Sequence, residues 1–221
     1  MKKVLTVVLL VAAFYSCKKS ADTTTQSSIQ PLTAGNSWTY AFATGKDSIT
    51  PKRDTFTLKV LSYDSTYDGY KYKILSDTSR KYNFLYRSVG DTDFRRGLFS
   101  TIKTVTIPDL LEPYYIENAS VGSKWVFPIS ISTVVNGIPV SIQAQNNYAI
   151  VSLSDSMKVN NTTYYNVSHI SLNITGNGNA TLGGGDFYYA KGYGALSYVF
   201  SVKYLGVGIY QSQTLLSSHI Q

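Results

Sequence analysis

The sequence predicts an all-β protein, and three observations carry that expectation. Tyrosine, threonine, valine and isoleucine recur with a period of two and no sustained helical stripe, which is the pattern of half-buried strands. Turn residues punctuate the chain at short intervals, most clearly Asn136-Gly137 between Val134-Val135 and Ile138, where both positions of a two-residue hairpin need positive φ. A Gly-x-x-Trp-x-aromatic signature also occurs twice, at Gly35 to Tyr40 and Gly122 to Phe127, and holds the only two tryptophans of the 221 residues. The expected architecture is an antiparallel β-meander, duplicated, that forms a sandwich or an open or half barrel. A half barrel with a minor helix is the alternative.

The chain begins Met1-Lys2-Lys3, continues as an apolar run from Val4 to Tyr15, and reaches its one cysteine at Cys17. Two cations, a short apolar stretch and a small residue at Ser16 form a secretory signal covering residues 1–16. The run is too short to span a bilayer, which needs roughly 20 residues. The lone thiol has no disulfide partner, so the expected role of Cys17 is lipidation at the processed amino terminus. From Lys18 to Gln30 the chain is mostly Ser, Thr, Gln and Lys, the composition of a flexible tether able to reach about 45 Å taut and about 20 Å as a coil. Residues 17–30 are therefore set apart as lipidated cysteine and tether, 31–118 as the first β half and 119–221 as the second.

Strands are expected at Thr55 to Leu61, Gly69 to Leu75, Tyr82 to Arg87, Thr101 to Ile107, Tyr148 to Leu153, Tyr164 to Ile174 and Leu196 to Tyr204. The last places Leu196, Tyr198, Phe200, Val202 and Tyr204 on one face. In Tyr164 to Ile174 the apolar parity changes near Ser168, which predicts a bulge. Pro108 to Asn118 hints at a helical turn. The duplication is supported by a second pair of segments, Val60 to Tyr72 and Val151 to Tyr164, offset by nearly the same interval as the tryptophans. In each copy the glycine supplies the turn and the tryptophan anchors the core. A tryptophan serving as a sugar platform is the functional alternative.

The formal net charge is +7, and four of the lysines responsible, Lys2, Lys3, Lys18 and Lys19, lie in the signal and tether. Lys71, Lys73, Arg95 and Arg96 form no basic run on one face, so no nucleic-acid partner is expected. Catalytic groups are scarce. The two histidines are His169, within a predicted strand, and His219, near the end, so no metal site and no cofactor is expected. Ser100-x-x-Lys103 falls in a strand, where positions three apart point to opposite faces. Asp91-Thr92-Asp93 lacks further calcium ligands and reads as a polar turn. Gly183-Gly184-Gly185 lacks a following helix and reads as a loop.

Tyrosine is the residue type in excess, at 19 copies. It suits strands and also binding, since it joins apolar area to a hydroxyl at low entropic cost. Tyr114, Tyr115, Tyr188, Tyr189 and Tyr193 are the candidate ligand-binding residues.

The signal resembles that of bacterial lipoproteins, with Ser16 before the modified cysteine. Pro31 to Tyr40, the later Gly-x-x-Trp-x-Phe and Tyr189-Ala190-Lys191-Gly192-Tyr193-Gly194-Ala195-Leu196 resemble a group of uncharacterised Bacteroidota lipoproteins with a PLxxGNxWxY and YAKGxGxxxY layout. The resemblance implies a cell-envelope lipoprotein held at the outer membrane by N-terminal acyl chains, with the periplasmic face favoured because Lys18 and not an acidic residue follows Cys17. It brings no activity with it. Asp-Ser/Thr contexts at Thr23, Ser48, Ser65 and Ser156 resemble Bacteroidota O-glycosylation signals. The resulting expectation is a non-enzymatic binding module for a glycan, peptide or other envelope component. A lipid or lipoprotein carrier with an apolar cavity comes second and a hydrolase third.

Overall fold

The computed structural model describes residues 29–77, 82–97, 110–135, 138–204 and 207–221. They form twelve strands: β1 Ser37–Gly45, β2 Lys52–Tyr67, β3 Tyr70–Asp77, β4 Tyr82–Val89, β5 Thr92–Gly97, β6 Leu110–Ile116, β7 Lys124–Val135, β8 Ile138–Val159, β9 Thr162–Gly176, β10 Thr181–Ala190, β11 Gly194–Tyr204 and β12 Val207–His219. A single turn of 3₁₀ helix, Asn177–Asn179, interrupts them. All neighbours are antiparallel in one sheet of order β6-β5-β4-β3-β2-β1-β12-β11-β10-β9-β8-β7. Each half of the chain is thus a six-strand meander, and the two meanders join where β1 pairs with β12. The sheet curls into a nearly closed barrel whose one unsealed seam lies between β6 and β7. Of the architectures that the residue pattern allows, the barrel is the one found.

Two of the sequence expectations are corrected. Within Pro108 to Asn118, where a helical turn is expected, Leu110–Ile116 is the strand β6. Pro113 in its middle would break a helix interior, and an edge strand is where the sheet tolerates it. Gly183-Gly184-Gly185 is not a loop but the start of β10, between β9 and β11. A Cβ at these positions would collide with the backbone carbonyls of Ser201, Leu172 and Val199, so glycine here permits close approach of three strands. The bulge expected near Ser168 appears as a positive φ of 53° at Asn166 and a register shift in the partner strand between Ile150 and Ser152. Residues 101–107 and the Asn136-Gly137 turn lie outside the described residues, although the pairing of Val135 with Ile138 is the register a two-residue hairpin requires.

Alternation fills the barrel interior. Trp38 and Tyr40 of β1, Phe56, Leu58 and Val60 of β2, Tyr148 and Ile150 of β8, Ile170 and Leu172 of β9, and Leu196 of β11 point inward into one core cluster. Along β11 the inward set begins with Leu196 while Val199, Ser201 and Lys203 are exposed, as the sequence parity predicts. Tyr72, Ile74 and Leu85 are buried on the opposite face of β3 and β4 and form a second cluster with Leu61 and Leu111.

The two Gly-x-x-Trp segments build the same turn. Gly35 (φ 96°) donates its N–H to the Val60 carbonyl at 3.0 Å, and the Val60 N–H donates to Asn36 O at 2.9 Å. Gly122 (φ 86°) donates to the Ile150 carbonyl at 2.8 Å, and the Ile150 N–H donates to Ser123 O at 3.0 Å. Just past each partner the long strand changes register, between Val60 and Asp64 in β2 and between Ile150 and Ser152 in β8. There the strand has run beyond the start of its neighbour, and a bulge lets it bend over the barrel rim.

The folded region takes in Ile29 and Gln30, the end of the tether as read from the sequence. Ile29 is 2% exposed and its carbonyl accepts the Gly194 N–H at 2.7 Å. Asn36 donates its Nδ2 to Pro31 O at 2.8 Å and accepts the Gln221 N–H at 2.9 Å, so it ties the two ends of the folded region together.

Candidate functional site

The seam between β6 and β7 is where polar side chains gather inside an otherwise apolar barrel. Glu112 of β6 faces Arg95 of β5 as a cross-strand pair, with Arg95 NH2 3.1 Å from Glu112 Oε2. From the other side of the gap, Asn146 of β8 donates its Nδ2 to Glu112 Oε1 at 3.0 Å, and the Tyr148 hydroxyl donates to the same oxygen. Trp125 of β7 stacks on Tyr148 at 5.2 Å between centroids and donates its indole N–H to the Pro113 carbonyl at 2.9 Å. The gap thus lacks a backbone ladder and is bridged by side chains from β6, β7 and β8.

Water still reaches the cluster. The side chains of Glu112 and Arg95 are 17% and 29% exposed. Asn146, by contrast, is 6% exposed, and its Oδ1 has no hydrogen-bond partner among the described residues. A buried amide oxygen left unpaired forfeits about 1–3 kcal/mol of solvation, which a hydroxyl or N–H donor supplied from outside would restore.

Burial first, and then the Glu112 carboxylate, push the Tyr148 hydroxyl well above its ordinary pKa. Burial raises Tyr114 and Tyr189 in the same direction. Burial opposes the Arg95 charge, but Glu112 and the surrounding tyrosines reverse the balance and hold its pKa well above the usual value. At neutral pH the site therefore presents neutral phenols and a fixed cation around the Glu112 side chain, which accepts three donors.

Three of the five candidate tyrosines join this interior. Tyr114 and Tyr115 lie 5.8 and 5.6 Å from Tyr189 between ring centroids, and Tyr86 packs edge-on against Tyr114 at 5.6 Å. Two adjacent residues point inward together because β6 shifts register here: Asp93 pairs with Tyr115 while Phe94 pairs with Pro113. Tyr188 lies elsewhere, stacked on the His169 ring at 4.5 Å, and His169 Nε2 lies 2.7 Å from Asp186 Oδ1. Tyr193 sits at the rim, edge-on to Tyr164 at 5.1 Å. Cys17, Thr23 and Ser100-x-x-Lys103 lie outside the described residues. Asp91 and Gly90 make the β4–β5 turn, whereas Thr92 and Asp93 open β5 and the buried Asp93 accepts a hydrogen bond from Ser88, so only Asp91 of that run lies in a polar turn. Among the described residues no cluster of three or more His, Cys, Asp or Glu side chains is arranged to hold a metal ion.

Sequence reasoning missed Glu112, Arg95, Asn146 and Tyr148. The available signal was Glu112 itself, the one charge within Leu-Leu-Glu-Pro-Tyr-Tyr-Ile. The two tryptophans also part ways. Trp38 is 1% exposed and donates its indole N–H to Tyr193 O at 2.7 Å, which makes it the expected core anchor, whereas Trp125 is only partly buried beside the polar cluster.

A second concavity, of about 370 Å³, lies over β1, β2 and β12, where Arg53, Asp54, Thr55, Ser212 and Thr214 surround Ala41, Phe42 and Ala43. It is open and mostly polar, with little lining for an acyl chain.

No family model and no curated protein matches the chain. Solved structures do. A candidate lipoprotein from Parabacteroides distasonis aligns over 88% of this chain and 100% of its own, with a TM-score of 0.51 at 12% identity, and shares the fold. Weaker similarity extends to a candidate exported protein with a YmcC-like fold from Bacteroides fragilis, with a TM-score of 0.41 and 11% identity over 86% of this chain and 98% of that one. The hypothetical lipoprotein YmcC from Escherichia coli has a TM-score of 0.44 and 9% identity over 97% and 96% of the two chains.

Proposed function

We propose that the protein is a non-enzymatic envelope lipoprotein, acylated at Cys17 and held at the outer membrane, whose barrel binds an envelope glycan at the seam. One observation carries the reading: a partly solvated Glu112–Arg95 pair and the unpartnered Asn146 Oδ1 stand beside the Trp125–Tyr148 stack, at the one place where the sheet is open. Sugars match such a site, because their hydroxyls satisfy carboxylate and amide groups while their C–H faces lie against an aromatic ring. Lipidation would keep the barrel among such glycans, and the fold similarity to a candidate lipoprotein supports the same setting.

The test is titration of envelope-derived oligosaccharides against the purified protein, followed by tryptophan fluorescence. Saturable quenching is expected in the wild type, with a loss of at least tenfold in affinity for Asn146→Ala, equivalent to about 1.4 kcal/mol. Urea unfolding of the same variant separates a lost ligand contact from a lost fold. A glycan panel with no binder, or one bound equally well by the correctly folded variant, would refute the seam as a glycan site.

A further inference from the structure

In a meander of this kind alternate connections share one end. The β2–β3, β4–β5, β6–β7, β8–β9 and β10–β11 turns therefore lie at the same pole as Ile29 and Gln221. Five exposed tyrosines belong to this pole: Tyr63, Tyr67 and Tyr70 on the β2–β3 arm, Tyr165 on the β8–β9 arm and Tyr193 in the β10–β11 turn.

Two of these rings are held by cations. The Arg96 guanidinium lies 3.4 Å from the Tyr67 ring centroid and that of Arg87 3.9 Å from Tyr70. Lys71, Lys158 and Lys191 are exposed at the same pole. They face a reduced acidic field, since Asp64 pairs with Lys73 at 2.8 Å and Asp68 with Arg96 at 3.2 Å; Asp91 and Glu117 are further acids there. Aromatic rings with polar tips, set among cations, are what a bilayer interface accommodates.

We propose that this pole is a membrane-seating surface that rests on anionic phospholipid headgroups. Ile29 enters the fold there, and only eleven residues separate it from Cys17, a reach of at most about 40 Å. The inference rests on acylation at Cys17, which brings the bilayer nearest to this pole. It adds that the barrel stands on that bilayer by this end instead of hanging from it, with the far pole turned to the surroundings.

The experiment uses the processed chain from residue 17 with Cys17→Ser, since the whole described core lies beyond residue 28. Sedimentation with phosphatidylglycerol vesicles is expected, and with phosphatidylcholine vesicles much less. Lys158→Gln and Lys191→Gln should each lower the partition roughly fivefold, and Tyr63→Ser with Tyr165→Ser should lower it further while circular dichroism stays unchanged. Failure to sediment, or sedimentation that folded variants leave untouched, would overturn the proposal. So would a dimer that these substitutions dissociate in the absence of vesicle binding, which would assign the surface to a second copy. Palmitate labelling of the unmodified chain and its Cys17→Ser variant tests the anchor separately, so that either reading can fail alone.

Discussion

The β1–β12 joint and the β6–β7 seam occupy equivalent places in a chain made of two six-strand meanders, yet only the first is closed. At the joint, pairing runs from Ser37 with His219 to Gly45 with Tyr210. At the seam the equivalent strands share no ladder, and Trp125, Asn146 and Tyr148 reach across it by side chains alone. Both edge strands there carry a proline, Pro113 in β6 and Pro128 in β7, and proline removes an N–H that a ladder would need. The comparison teaches that two segments with the same Gly-x-x-Trp pattern can repeat their turn geometry closely while doing different work. The Trp38 copy is built into the core, and the Trp125 copy stands at an opening.

The sharpest way to break this comparison is to truncate the tryptophans. Trp38→Ala should lose about 3–5 kcal/mol, the range for a large aromatic removed from a packed core. Trp125→Ala should lose clearly less. Urea unfolding of both variants measures the difference, and equal losses would mean that the seam tryptophan is as much a core residue as its counterpart.

The paired glycines give a smaller effect. Each has positive φ, so alanine at either should cost about 1–2 kcal/mol in backbone strain. A Cβ on Gly35 would also meet Gln221 Nε2 at 3.1 Å, while one on Gly122 meets nothing within 4 Å. Gly35→Ala is therefore expected to be the more destabilising of the two by thermal unfolding. The reverse order would place the tighter constraint at the seam.

Smallest in stability, within about 0.5 kcal/mol, is the change expected for Pro128→Val, an exposed position. Its signature is association, because a restored N–H completes an edge that a second molecule can pair with. Size-exclusion chromatography over a concentration series should show that variant forming dimers or larger species, and a monomer at all concentrations would mean that the proline is not what guards the edge.

Much of the fold is legible in the sequence because it is written locally. Period-two alternation locates β2, β3, β4, β9 and β11, and the Gly-x-x-Trp repeat locates two equivalent turns. The strand β6 escapes such a reading because Pro113 and its neighbours suggest a break when viewed alone, and its status as an edge depends on partners that are not adjacent in sequence. The site is less legible still. Glu112 meets Asn146 and Tyr148 across 34 and 36 residues, and it does so only because the sheet curls until its two ends face each other. Nothing in strand alternation predicts that Tyr114 and Tyr115 both turn inward, since a bulge overrides the parity that alternation assumes.

Asn36 holds Pro31 with one end of its amide and Gln221 with the other, so two distant stretches of the chain are clasped by a single side chain. A fluorophore or affinity handle fused after Gln221 would consequently be wedged on the crowded side of the molecule, against the anchor. The bend at residues 46–50, at the opposite extremity, leaves room for such cargo without disturbing either the clasp or the approach to the bilayer.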